Sequence, residues 1–264
     1  MGVIGGSLAY RFLRWYAPDD SAHVMAGSAY AGVSKLRALL GERLLTEIRD
    51  KDVIDFGCGD GAETIELAVA GARTVTGVDI QTERFAAARS RATLAGVADR
   101  VRFTPQADRL ADVIVSIDSF EHFSRPEEIL RIMASLLKPG GCVVVSFGPT
   151  WFHPLGGHLF SVFPWAHLVF TEQALIRWRS DFKSDGATRF GDVAGGLNQI
   201  TIARFERIVS SSQFAITHFE AVPIRKLAPI ANRLTREFTT AIVRCTLELL
   251  PDTPAMRSRA GRAQ

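Results

Sequence analysis

Two periods of apolar residues run along this 264-residue chain, and they alternate. After Ser34, a residue suited to cap a helix, Leu36, Leu39, Leu40, Leu44 and Ile48 fall on one helical face. The pattern then predicts a strand over 52–57, a helix over 62–70, a strand over 74–79 and a helix over 82–95. Strands over 101–104 and 111–117, a helix over 126–137 and a strand over 141–147 follow. Strands alternating with helices argue for a parallel, doubly wound sheet. Pro139-Gly140-Gly141 marks a helix stop and turn before the fifth main strand. From Pro149 to about residue 200 the rhythm breaks. It resumes as a helix over 201–212, with Ile202, Phe205, Ile208 and Val209 inward, and a strand over 214–222. Leu227, Ile230, Ala231, Leu234 and Phe238 then recur at helical spacing. Val243, Cys245, Leu247 and Leu249 alternate with Arg244, Thr246 and Glu248, the period of a closing strand.

Residues 53–61 read Val-Ile-Asp-Phe-Gly-Cys-Gly-Asp-Gly: an apolar run holding Asp55, then glycines at 57, 59 and 61, then a helical pattern. That is a buried strand, a tight turn and a helix whose N-terminus faces a ligand. Glycine lets the backbone approach the ligand and take dihedrals a side chain forbids. A second apolar run, Thr74-Val-Thr-Gly-Val, ends in Asp79. An acid at the tip of the second strand of such a unit binds ribose hydroxyls. Each feature has a bland alternative: a ligand-free turn, or Asp79 as the cap of a helix opening at Gln81. Their joint spacing points instead to an adenosine-containing cofactor. A nicotinamide site prefers G-x-G-x-x-G, whereas the spacing here is G-x-G-x-G. Asp55, two residues upstream, would repel a pyrophosphate and suits a ligand with a cationic amine.

At these residues the chain resembles the class I S-adenosylmethionine-dependent methyltransferases, whose first motif has the acid-x-G-x-G-x-G form. The resemblance continues through Val78-Asp79-Ile80, Ala111-Asp-Val-Ile-Val-Ser-Ile-Asp-Ser-Phe-Glu-His-Phe123 and Leu136-Leu-Lys-Pro-Gly-Gly-Cys-Val-Val-Val-Ser146. It is close over 34–147 and beyond that rests on element order. It implies an α/β, Rossmann-like, doubly wound seven-stranded mixed sheet, with an antiparallel seventh strand and a lid insertion after strand five. The expected organisation is an N-terminal arm (1–33), one methyltransferase domain (34–252, with 149–200 as the lid) and a basic tail (253–264) holding Arg257, Arg259 and Arg262. By the same resemblance the cofactor, S-adenosyl-L-methionine, lies against Asp55, Gly57, Cys58, Gly59, Gly61, Asp79, Ile80, Asp118 and Ser119. One departure concerns adenine. The family's Gly-Asp-Ala type turn is replaced by Pro105-Gln106-Ala107-Asp108, so either Asp108 substitutes for the acid or Gln106 bonds the adenine edge. The turn after strand four also lacks the Asn/Asp-Pro-Pro-aromatic signature of amino-group methylation.

Composition narrows this further. A hydrophobic content of 47% supports a sizeable core, and a net charge of +3 demands no nucleic acid. Cys58, Cys142 and Cys245 are far apart, without zinc spacing or a disulfide framework, which suits a reducing cytoplasm. The N-terminus lacks a basic region like that of a signal peptide, and no apolar run approaches a bilayer span, so the protein is expected to be soluble, or peripheral at most. The segments Phe147-Gly-Pro-Thr-Trp-Phe-His-Pro-Leu-Gly-Gly-His-Leu-Phe160 and Phe163-Pro-Trp-Ala-His-Leu-Val-Phe170 are dense in aromatics and histidines. They suit an apolar or aromatic acceptor, a lid packed on the sheet, or shallow membrane contact by Phe160–Phe170. His153, His158 and His167 lack an acidic partner at ligand spacing, so no metal is expected.

Candidate catalytic groups are Glu121 and His122 after strand four, as base, positioner or buttress, and His153 and His158 in the lid. The expected function is methyl transfer to a small-molecule acceptor, at oxygen or carbon rather than nitrogen. A non-catalytic cofactor-binding partner and an RNA or protein methyltransferase are the alternatives. A nicotinamide oxidoreductase would need a Tyr-x-x-x-Lys or similar pair past strand four, which does not occur. Oligomeric state is not legible in the sequence.

Overall fold

The computed structural model describes residues 2–19, 34–193 and 196–251; the expected tail (253–264) and residues 20–33 of the expected arm lie outside them. Helix α1 (Gly6–Tyr16) is followed by α2 (Lys35–Glu47), β1 (Asp52–Phe56), α3 (Ala62–Val69), β2 (Thr74–Val78), α4 (Phe85–Leu94), β3 (Val101–Thr104) and β4 (Ala111–Ile117). Then come α5 (Pro126–Leu136), β5 (Leu137–Phe147), α6 (Ala166–Val169), α7 (Glu172–Ser180), α8 (Ile202–Ser210), β6 (Phe214–Pro223), α9 (Arg236–Thr239) and β7 (Thr240–Leu249). Ser34 does cap α2, its Oγ accepting from the Arg37 amide at 3.0 Å.

The seven strands form one sheet in the order β3-β2-β1-β4-β5-β7-β6. Strands β1 to β5 are parallel, and β7 is antiparallel to both β5 and β6. Strand order reverses between β1 and β4, so the carboxyl ends of those two strands open a crevice, the place where open α/β sheets bind ligands. The strands near it are apolar on both faces. Ile54, Ile114, Val143 and Val145 pack with Leu130 and Met133 of α5 and Phe205 of α8. Val53, Val75, Val113 and Val115 pack with Leu36, Leu39 and Ile48 near α2, Leu67 of α3 and Phe85 of α4. A third core is separate from the sheet. Ala9, Leu13 and Ala17 of the N-terminal segment pack with Trp151, Phe160, Leu175, Trp178 and Phe190. The described part of the N-terminal arm therefore joins the segment after β5, and α1 lies on α7.

Three local expectations are corrected. No long helix forms over 227–238. A 3₁₀ turn (Arg225–Ile230) and the one-turn α9 stand there instead. Pro229 removes a helical donor, and the Asn232 side chain captures the amides of Leu234 and Thr235 at 2.8 and 3.2 Å. The helix expected over 82–95 splits into a 3₁₀ turn (Thr82–Arg84) and α4. Strand β5 starts at Leu137, ahead of the Pro-Gly-Gly turn signal, with a register irregularity against β4.

Candidate active site

The glycine loop leaves β1 and is fastened to the end of β2: the amides of Gly57 and Cys58 both donate to the Val78 carbonyl, at 2.8 and 3.0 Å. Its glycines are required for different reasons. Gly57 has φ +86°, and a Cβ there would lie 2.7 Å from the Cβ of Ser119. Gly61 has φ +80°, and a Cβ would meet the Phe103 ring at 2.5 Å. Gly59 has φ +52°, but a Cβ there would find only the tip of Arg84, at 3.9 Å. Protein crowds the outer two glycines, whereas Gly59 faces open space. Gly57→Ala is accordingly expected to destabilise the fold by about 1–3 kcal/mol, through positive φ and the Ser119 contact. Gly59→Ala should cost less, about 1–2 kcal/mol, from the left-handed conformation alone. Urea unfolding of the two variants checks the difference.

Asp79 stands beside this open face. Its Oδ2 accepts from the Gly59 amide and its Oδ1 from the Gln81 amide, both at 2.8 Å. Each oxygen keeps a lone pair for a further donor. The next residue, Ile80, is 89% exposed, an apolar platform with no protein cover. Asp55 and Cys58 lie deeper. The Asp55 carboxyl is buried beneath the loop, accepts from Thr64 Oγ1 at 2.6 Å, and burial pushes it up to about 7 despite that bond. The Cys58 side chain belongs to the core under α3, and burial raises its thiol well above the usual range, so it meets the crevice through backbone only. At the end of β3, Arg102 grips both oxygens of Asp108, which lowers that exposed carboxyl. The acid is thus already paired on the surface. Gln106 is exposed, its amide accepted by Thr104 Oγ1 at 3.4 Å, and Ala107 packs against the sheet core.

The turn after β4 forms the other wall. Asp118 takes φ +47° and faces Lys35 of α2 at 3.2 Å; burial still holds its carboxyl above the ordinary range. Ser119 Oγ donates to the carbonyls of Ile117 and Gly57, at 2.8 and 3.1 Å, tying this turn to the glycine loop. Glu121 is 2% exposed. Its Oε1 accepts from the Gly148 amide at 3.3 Å, and Oε2 has no partner among the described residues. Burial, then the nearby Asp118, raises it to about 8. Near neutrality Glu121 is therefore a protonated carboxyl, able to donate a hydrogen bond and unable to take a proton.

The segment after β5 folds down on this turn. Asn198 Nδ2 donates to the carbonyls of Phe120 and Phe123 at 2.8 and 2.9 Å, and the Asn198 amide donates to the Glu121 carbonyl at 3.0 Å. His122 Nδ1 lies 2.9 Å from the Gly196 carbonyl. A carbonyl only accepts, so Nδ1 carries the proton and Nε2 keeps its lone pair. The ring of His158 stands 5.5 Å from that of His122, and burial lowers it to about 4. His153 is likewise lowered to about 4 by burial, and its Nδ1 lone pair accepts the Leu155 amide at 2.9 Å. The structure thus gathers Glu121, His122 and His158, while His153 bonds within its own turn. Thr150, buried beside them in sequence order, has an Oγ1 with no partner among the described residues.

Most aromatics of the segment after β5 are core rather than wall. Trp151, Phe160 and Phe170 are at most 6% exposed, and His167, buried with them, bonds the Trp151 carbonyl at 2.6 Å. Of the three alternatives for this segment, the burial of Phe160 and Phe170 favours packing over a pocket wall or shallow membrane contact. Trp165 bonds the Phe152 carbonyl, and Phe152 meets Phe238 at 5.1 Å. Lys35, Thr64 and Asn198 are site-shaping residues the sequence reading passed over. Only Thr64, one turn past the glycines on the inner face of α3, had a local signal.

The crevice fits an adenosyl sulfonium: an open glycine backbone, a carboxylate with spare lone pairs at the β2 tip, and an exposed apolar residue beside it. The family profile described as a methyltransferase domain matches residues 29–219. A ribosomal protein L11 methyltransferase from Pasteurella multocida is 34% identical over 135 residues, covering 49% of this chain and 46% of that protein. A ubiquinone biosynthesis O-methyltransferase from Bordetella pertussis is 30% identical over 139 residues, covering 50% and 55%. The chain spans about half the length of the curated relatives it matches. The solved S-adenosylmethionine-dependent methyltransferase from Mesorhizobium loti overlays with a TM-score of 0.50 at 17% identity, over 78% of this chain and 94% of that one, a likeness of fold.

Proposed function

From the premise that the chain belongs to the methyltransferase-domain family, as a class I S-adenosylmethionine-dependent enzyme, we propose that it methylates a small-molecule acceptor, at oxygen or carbon, beneath the segment 149–200. The observation that carries this reading is the roof. Asn198 and Gly196 are bonded to the turn bearing Glu121 and His122, so the acceptor side of the crevice is covered by the chain itself. A folded polymer would need that cover removed.

The bound cofactor supplies an activated methyl group on sulfur. Asp79, the Gly59 backbone and the Ile80 side chain would hold its nucleoside end, and Asp118 and Ser119 the other. What remains for the chain is orientation of the acceptor and disposal of its proton. His122 presents the Nε2 lone pair and serves as the base for an acidic hydroxyl or carbon acid. Glu121, protonated and enclosed, steadies the turn that carries His122 through the Gly148 amide. His158, uncharged near neutrality, leaves the pocket without an added cation to repel the sulfonium.

The test is transfer from methyl-labelled donor into a cell extract separated by size. Label is expected in the low-mass fraction, dependent on His122. Label confined to protein, the acceptor class named for the Pasteurella relative, or to RNA would overturn the small-molecule reading. Cofactor binding without label in any fraction would favour a non-catalytic partner.

A further inference from the structure

We propose that this protein docks on the surface of an anionic lipid bilayer through the outer face of α1 and the connection between β6 and β7. An amphipathic surface helix turns apolar residues inward and polar ones out. Helix α1 is apolar on both sides. Ala9 and Leu13 are buried against the third core, yet Leu8 is 77% exposed, Phe12 41%, Trp15 76% and Tyr16 51%. Their spacing, 8-12-15-16, places them along one outward stripe. Val3 (90% exposed) and Ile4 extend it at the N-terminal end. The stripe is held on a firm base: the Val3 and Ile4 amides both donate to the Val169 carbonyl at 3.0 Å, and Ile4 bridges to Phe170.

A second exposed apolar group lies in the β6–β7 connection, with Ile230 at 58%, Leu234 at 94% and Phe238 at 46%. This connection enters β7 beside the end of β5, where Phe147 pairs with Val243, so it belongs to the crevice edge of the sheet. Aromatic contacts link that edge toward α1: Phe238 meets Phe152, Trp165 bonds the Phe152 carbonyl, and Phe163 meets Phe12 and Tyr16.

Charge selects the occupant. Arg11 lies on the outer side of α1, and Arg225, Lys226 and Arg233 are exposed around the second group. Residues 2–18 and 221–236 contain no Asp or Glu; of the acids that flank them, Glu220 pairs with Arg244 and Glu237 accepts the Ile202 and Ala203 amides, while Asp19 is exposed. Asp181, the acid facing α1 from α7, is engaged by Tyr10 and Arg14. Exposed Trp, Tyr and Leu flanked mainly by cations among the described residues suit the headgroup boundary of an anionic leaflet. A second copy meeting this face by two-fold symmetry would set cations against cations. The docking is independent of which acceptor is methylated.

The experiment is co-sedimentation of the full chain with phosphatidylcholine vesicles containing about a third phosphatidylglycerol. Binding that falls as salt rises is expected, with little to phosphatidylcholine alone. The double variant Leu8→Gln/Trp15→Gln should weaken binding at least about tenfold, and Arg11→Glu should do so mainly at low salt. Leu94→Gln, an equally exposed leucine on α4, should change nothing. These surface changes leave the fold intact, checked by thermal unfolding. No binding to anionic vesicles, binding equal in the double variant, or a concentration-dependent dimer abolished by that variant in place of vesicle binding would each overturn the proposal.

Discussion

Asp79→Ala is expected to abolish useful cofactor binding while leaving the protein folded. The wild-type carboxylate is preorganised: backbone amides of Gly59 and Gln81 hold its two oxygens at 2.8 Å, leaving lone pairs for two vicinal ribose hydroxyls. A hydrogen bond to a charged group contributes about 1.5–3 kcal/mol. Losing two therefore weakens S-adenosylmethionine and its demethylated product by roughly 100-fold or more, at about 1.4 kcal/mol per decade. The substitution also strands the Gly59 amide, so a stability loss of about 1–2 kcal/mol accompanies it. Asp79→Asn, which keeps one acceptor oxygen, should fall between. Calorimetric titration with both compounds reads the affinities, and thermal unfolding separates lost binding from lost folding. Unchanged affinity in folded Asp79→Ala would remove this residue from the nucleoside site.

The parts legible in the sequence are those whose causes are local. The glycine loop and Asp79 declare themselves because turn geometry, strand ends and a helix start are contiguous. The parallel strands do so because burial on both faces leaves unbroken runs such as Val113–Val115 and Val143–Val145. The closing strand β7 alternates cleanly because its Arg244, Thr246 and Glu248 share a face different from that of Val243, Cys245 and Leu247. The helix expected over 227–238 failed because spacing alone ignores what Pro229 withholds and what Asn232 captures. The surroundings of the turn after β4 were harder. Asn198 braces carbonyls 75 and 78 residues away, and Lys35, ahead of β1, meets Asp118, which follows β4. Such pairings leave no trace in spacing. Nor could sequence divide the lid aromatics into core and surface, since that depends on where α1 packs.

Replacing Glu121 with Gln is expected to flatten the fall of stability with pH above neutrality. In the native state burial raises this carboxyl from 4.5 to about 8, while the unfolded chain keeps the ordinary value. Between those two values the native state holds a proton that the unfolded state has released. Stability must then decrease as pH rises, by about 1.4 kcal/mol per unit for one such group, on the order of 5 kcal/mol across the window. Asp55, raised to about 7 by burial, acts in the same direction. His153, His158 and His167 act oppositely. Burial lowers each to about 4 from 6.5, so their unfolded forms bind protons the native ones do not, and stability rises with pH up to that value. Wild-type stability should therefore pass through a maximum near neutrality and decline toward pH 8. Gln mimics the protonated carboxyl and keeps an acceptor for the Gly148 amide, so at about pH 5 the variant should match wild type within about 1 kcal/mol. The difference in its favour then grows with pH and levels off near the native pKa. Urea unfolding across this range tests the sign directly. Curves that stay parallel would mean Glu121 is ionised in the native protein, a buried charge beside His122 rather than a neutral carboxyl.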